Sequence, residues 1–236
     1  MRARGVVATA TVLLVLAAAA VAAEVVVRAR TQRVVADTVA AALGADPATT
    51  SVTLGGGLVL PQLVRGRLDE VDVVAPTVVL GHARFADVTA HATGVTVDAP
   101  YTAATLTATG VVPPDTLREQ LAARGLGLDV AADEAGSGGG AGTLRASGSL
   151  LGVGWGLTLA PRVAAGHLLV DVVTADVAGA PVRLDALPSA VRGAVTGLEV
   201  PLTGLPAGLA PTAAHVVPGG VAVTLEGTDV RLGAAG

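Results

Sequence analysis

The sequence predicts an α+β domain behind an N-terminal helix bound for a membrane, and three observations carry that reading. Gly5–Ala23 is a run of nineteen residues without a charge, placed directly after Arg2 and Arg4. About seven apolar segments, cut by Gly and Pro, have the length and composition of strands. Only two or three segments show the spacing of helices.

At about 1.5 Å per residue the N-terminal run reaches roughly 28 Å, close to the hydrocarbon thickness of a bilayer. Its basic head, apolar middle and small residues Ala20-Val21-Ala22-Ala23 before Glu24 fit a signal peptide equally well. Residues 1–24 are therefore read as a membrane anchor or signal segment, and 25–236 as one domain. Arg2 and Arg4 before the run nearly balance Arg28, Arg30 and Arg33 after it, so the positive-inside rule decides little. The order of the segment is that of export. It places a single N-terminal span in the cell membrane with the domain on the extracytoplasmic side, or a domain secreted to the envelope if the segment is cleaved.

Val25–Leu43 is expected to be helical. Val27, Val34, Val35, Thr38, Val39 and Ala42 share a face, and Gly44 and Pro47 end it. Leu58–Leu68 reads as a turn and a short helix. Strands are expected at Glu70–Leu80, Ala83–Thr93, Thr96–Thr109, Thr143–Leu150, Trp155–Pro161, Gly166–Asp176 and Val221–Leu232. Pro113-Pro114-Asp115 opens a helix over Thr116–Arg124, stopped by Gly125, and Leu187–Leu198 is a third candidate. Asp133–Gly142 (DEAGSGGGAG) reads as a flexible Gly-rich loop. A dinucleotide fingerprint fails there because Ala141 stands where the third glycine is needed.

Composition excludes several chemistries. The chain has no Cys, so neither a disulfide nor a thiolate metal site is available. Every one of its 15 basic residues is Arg, which rules out a P-loop lysine. Without Arg2 and Arg4 the chain keeps 13 Arg against 19 acidic residues, a formal charge of −6 that argues against nucleic acid as partner. His82, His91, His167 and His215 have no metal-ligand spacing. None of the five serines lies in G-x-S-x-G. The expectation is a protein that is not an enzyme and needs no cofactor; a hydrolase would have to bring a serine such as Ser149 to a histidine such as His167 across the fold.

The strands carry the functional signal. Leu168, Val170 and Val172 fall on one face of their segment while Leu169 and Val173 fall on the other. Val71 and Val73 share one parity, and Val74, Val78 and Leu80 the other. Two apolar faces need two apolar partners, and so few helices cannot supply them all. An aliphatic wall left uncovered suits an acyl chain, worth about 0.8 kcal/mol per methylene removed from water. Candidate lining residues are Val71, Val73, Leu168, Val170 and Val172. Arg65 and Arg67, flanking Gly66, are placed to hold a lipid phosphate at the rim. The competing reading fills the same positions with an ordinary core, in a membrane-anchored envelope scaffold or protein-interaction module.

Several segments also carry a resemblance. Leu60–Val73 (LPQLVRGRLDEVDV), Ala86–Val95 (A-x-V-T-A-x-x-x-G-V) and Leu205–Leu232, with its L-P-x-G-L and following G-G-V-x-V-x-L-x-G-x-D-V-x-L, resemble the LmeA-like phospholipid-binding proteins of the actinobacterial cell envelope. The resemblance covers nearly all of the chain after the N-terminal run. It implies a domain similar to tubular lipid-binding proteins, with a long twisted antiparallel sheet curled around two or three helices. It also implies phospholipid, or another acyl-chain ligand, held in an apolar groove beside a membrane, with no reaction carried out. No ligand-contacting residues are carried over from it.

Overall fold

The computed structural model describes residues 2–80, 83–123, 129–133, 142–150, 153–183, 198–200 and 205–232, with the side chains of the first helix described from Ala20 onward. Helix α1 (Arg2–Leu43) runs unbroken. It ends where Gly44 takes φ +59°, a left-handed conformation that glycine adopts without a Cβ penalty. Its described half carries Glu24, Arg28, Arg30, Arg33 and Asp37. Among the described residues no helix is long and apolar enough to cross a membrane, so the expected N-terminal span is not found there.

Twelve described strands and two further helices follow. They are β1 (Ser51–Leu54), α2 (Val59–Val64), β2 (Arg67–Leu80), β3 (Ala83–Thr96), β4 (Thr102–Val112), α3 (Pro114–Ala123), β5 (Asp129–Asp133), β6 (Thr143–Leu150), β7 (Val153–Ala164), β8 (His167–Val177), β9 (Ala180–Val182), β10 (Leu198–Val200), β11 (Leu209–Val217) and β12 (Gly220–Arg231). The α+β class is therefore right, but the single long sheet becomes two antiparallel sheets. The first has the order β1-β2-β3-β4-β12-β11; the second has β10-β8-β7-β6-β5, with β9 also on β8. The chain leaves the first sheet after β4, builds the second, and returns so that β12 pairs with β4. Close approach of the backbones permits that return: a Cβ on Gly220 (φ +138°) would lie 2.1 Å from the Val112 carbonyl oxygen.

Each of the seven expected strands has a counterpart with shifted ends, while β1, β5, β9, β10 and β11 were not expected. The expected strand Thr96–Thr109 begins only at Thr102, because residues 97–101 turn. The 134–141 interior of the Gly-rich loop lies outside the described residues, as does the expected helix Leu187–Leu198 except for Leu198, which opens strand β10.

The mixed parity has a different cause from the one expected. On β2 the inward positions are Val71, Val73 and Ala75, then Val78; on β3 they are Phe85, then Val88, Ala90 and Ala92. The phase changes at Pro76 on one strand and at Asp87 (φ +50°) on the other, where the β3–β4 register also shifts. A single apolar face thus switches phase at a bulge instead of the strand having two apolar faces. The same holds on β8, where the register shifts against β7: Leu168, Val170 and Ala175 are buried while Val173 is left 54% exposed.

Two apolar cores result. One joins the second sheet to Phe85, Val112, Leu117, Val221 and Val223. The other lies under α1 around Leu54, Val59, Leu68, Val71, Val73 and Leu106. Fully buried Gln62 of α2 ties the second core's edge together: its amide donates to the Gly55 carbonyl (3.0 Å) and its carbonyl accepts from the Asp69 amide (2.9 Å). On the outer face of the first sheet His91 stands opposite Asp72, with Nδ1 2.7 Å from Oδ1 and 3.8 Å from Glu70 Oε1. The hydrogen bond to Asp72 is the main cause that raises the His91 pKa above its usual value.

Two predictions follow from these contacts. Gln62→Ala removes a fully buried side chain and leaves two part-buried backbone groups unpaired, costing about 1–3 kcal/mol in all, read as a lowered denaturation midpoint, whereas Arg65→Ala, which removes a surface pair with Asp69, changes stability by less than about 0.5 kcal/mol. Because its folded-state pKa is raised, the His91–Asp72 contact stabilises below the unfolded histidine pKa of about 6.5 and loses that effect as pH rises through the folded value. Asp72→Asn therefore moves the His91 imidazole titration, followed by NMR, back toward about 6.5.

Candidate functional site

Helix α1 is fixed across the first sheet by a polar clamp. The N-cap of α2, Leu58, makes no side-chain capping bond. The carboxylate of Glu24 takes that role from α1, accepting from the amides of Val59 (2.5 Å) and Leu60 (3.1 Å). These backbone bonds are the main cause holding the Glu24 pKa below the usual carboxylate value. One turn on, Arg28 donates to the carbonyls of Leu54 (2.7 Å) and Gly57 and lies 3.6 Å from Glu24. Beyond the clamp, Val35, Ala36 and Val39 pack on the core beside β1 and β2.

The helix does not reach the rest of the sheet. Between the two lies a cavity of about 550 Å³, within the roughly 300–1,000 Å³ typical of ligand pockets. Val27, Val34, Val35 and Val39 form its roof. Val71, Val73, Ala75 and Val78 of β2, Val88, Ala90 and Ala92 of β3, Leu106 and Ala108 of β4, and Val223 and Leu225 of β12 form its floor. Small side chains at the centre open the space: Val73, Ala90, Ala108 and Leu225 stand side by side across four strands. Ala90 and Ala108 stay only half-buried in mid-sheet, whereas their flanks Val73 and Leu225 are buried. Its lining follows β3 from Phe85 to Thr96 and continues to Val97 just beyond the strand.

Polar groups are few. Thr31, Thr38, Thr96, Thr109 and Tyr101 reach the wall, and among the described residues that line it Arg30 is the one that is charged. Among the described residues of this long apolar trough, with its one cation and few hydroxyls, no two groups are paired for proton transfer or nucleophilic attack. It can sequester hydrocarbon and hold an anion at one place.

Val71 and Val73 line the cavity. Leu168 and Val170 are buried in the core between the sheets, with Val172 packed against it. Arg65 is exposed and paired with Asp69 at 3.1 Å; Arg67 is exposed and donates to the Gly94 carbonyl at 3.2 Å; neither reaches the cavity wall. For the hydrolase reading, the side chain of Ser149 lies outside the described ones and His167 is exposed at the start of β8. Sequence reasoning missed the alanine floor, which reads as compositional bias until the strands are in register. It also missed the contribution of α1, although its apolar face was visible in the spacing. The cluster of Glu70, Asp72 and His91 escaped as well, because it forms across strands.

The sequence profile of one family, described as LmeA-like phospholipid-binding, matches residues 22–226. No curated protein and no solved structure gives a match. The profile extends from just before the clamp residue Glu24 into β12, and so takes in every element that encloses the cavity. The chain belongs to the LmeA-like phospholipid-binding family.

Proposed function

We propose that the protein binds a phospholipid, or a related amphiphile, with acyl chain in the cavity between α1 and the first sheet, and that it moves or holds this lipid at the cell envelope without catalysing a reaction. The cavity itself carries the reading: an elongated, almost wholly aliphatic space of about 550 Å³ in a chain of a phospholipid-binding family. Aliphatic walls with so few aromatic side chains grip hydrocarbon without directed chemistry, so chain length matters more than chain identity. Val71 and Val73 are the proposed acyl contacts from the strands, joined by Val34 and Val35 from α1. The membrane is the proposed source of lipid. Val21, Val25 and Val26 of α1 and Leu58, Leu60 and Val64 around α2 are exposed, Val64 at 88%, near the end of the cavity where Val27 and Leu63 stand. The apolar run Gly5–Ala23 leads into that same end and is proposed to keep it beside the bilayer. The scaffold alternative requires a filled interior, and the space under α1 weighs against it.

A pair of variants on one strand tests the reading. Ala108 faces the cavity and its neighbour Thr107 is exposed on the opposite face. Ala108→Leu fills space that two or three methylenes of a guest would occupy, at about 0.8 kcal/mol each, and so weakens binding of a fluorescent acyl-chain probe by about tenfold or more. Thr107→Leu leaves the affinity unchanged. Equal affinity in both variants, with both folded by circular dichroism, would place the lipid elsewhere.

A further inference from the structure

We propose that Arg30 anchors the phosphate of the bound phospholipid at the mouth of the cavity, so that the lipid lies head toward the α2 end and tails toward Phe85. The inference rests on the lipid-binding reading above and adds the ligand's headgroup class and its direction.

Among the described residues Arg30 is the one charged group on a wall otherwise built of aliphatic side chains and a few hydroxyls. It sits on the flank of α1 that carries Val34, 58% exposed, and away from the Arg28, Val35 and Val39 side that packs against the strands. That flank is the open lip of the cavity. Arg28 is fully engaged with two carbonyls and Glu24, Arg65 with Asp69, and Arg67 with a carbonyl. Arg30 has no hydrogen-bond or ion-pair partner among the described residues. A guanidinium with five free donors at the edge of a low-dielectric trough matches the bidentate geometry of a phosphate oxygen pair. Arg30 lies one turn after Val27, which marks the α2 end of the cavity, while Phe85 and Val223 lie toward the other end. A phosphate held at Arg30 therefore sends its chains down the trough under Val34 and Val35.

The test uses the full chain and two lipids with the same acyl chains, phosphatidic acid and diacylglycerol, presented in mixed detergent micelles as competitors of a fluorescent acyl probe. The wild type is expected to prefer phosphatidic acid by about tenfold, the contribution of a charge-assisted contact. Arg30→Gln abolishes that preference while still binding diacylglycerol, and Arg30→Lys restores part of it. Arg33→Gln, which removes a neighbouring arginine outside the cavity wall, leaves the preference intact. Equal affinity of the wild type for the two lipids, or an undiminished preference in Arg30→Gln, overturns the inference and leaves the acyl-binding reading standing. Failure of the wild type to bind either lipid overturns both. Inorganic phosphate at millimolar concentration is expected not to compete; competition by it would assign Arg30 to free anions instead of a headgroup.

Discussion

Everything about the cavity depends on α1 being held at one edge of the first sheet and nowhere else. Glu24 caps a helix that its own N-cap residue leaves uncapped, and Arg28 binds the two carbonyls on either side of the turn leading to it. Both residues sit on the side of α1 that faces β1 and α2. The contacts are polar and directional, so they fix position where apolar packing alone would let the helix settle deeper. Beyond them only the Val35, Ala36 and Val39 side of the helix finds protein. Val27 also packs on the core beneath it, while Val34 and Thr38 line the open space above the floor.

The floor explains why the helix cannot close that gap. A helix packs on a sheet when side chains of both layers interdigitate. Here the central rungs present Ala90 and Ala108, one carbon each, between the larger Val73 and Leu225. Apolar wall left in contact with water along this open space forgoes the roughly 25 cal/mol per Å² that its burial would contribute. An apolar occupant that supplied the missing hydrocarbon would bury that wall and complete the packing of this half of the molecule. The second sheet has no such deficit: Leu144, Leu157, Leu168 and Val170 are buried against Val221 and Val223.

Much of the fold was legible in the sequence, and much of the site was not, for identifiable reasons. Gly44 as the end of α1, the short helix near Pro61 and seven of the eight longest strands follow from turn residues and apolar runs, which act locally. Short β1, β5 and β9 and the Pro- and Ala-rich β11 carry too few β-formers to stand out, and exist because neighbouring strands pair with them. Apolar residues on both parities were visible, but a phase change at Pro76 and Asp87 mimics a two-faced strand. That is why Leu168 and Val170 and Val71 and Val73 looked equivalent when one pair faces protein and the other faces the cavity. Arg65 and Arg67 drew attention by flanking a glycine, whereas Arg30 was one of three similar arginines on a helix. Only the packing of that helix separates the bonded Arg28 from Arg30 at the cavity wall.

Native mass spectrometry of the full chain, purified from cells in a mild detergent and released gently, addresses the central claim most directly. The account predicts a population carrying an added mass that fragments to a diacyl phospholipid and disappears on stronger activation. A chain that travels at its bare polypeptide mass under the gentlest release, and whose organic extract holds no acyl lipid, would contradict it.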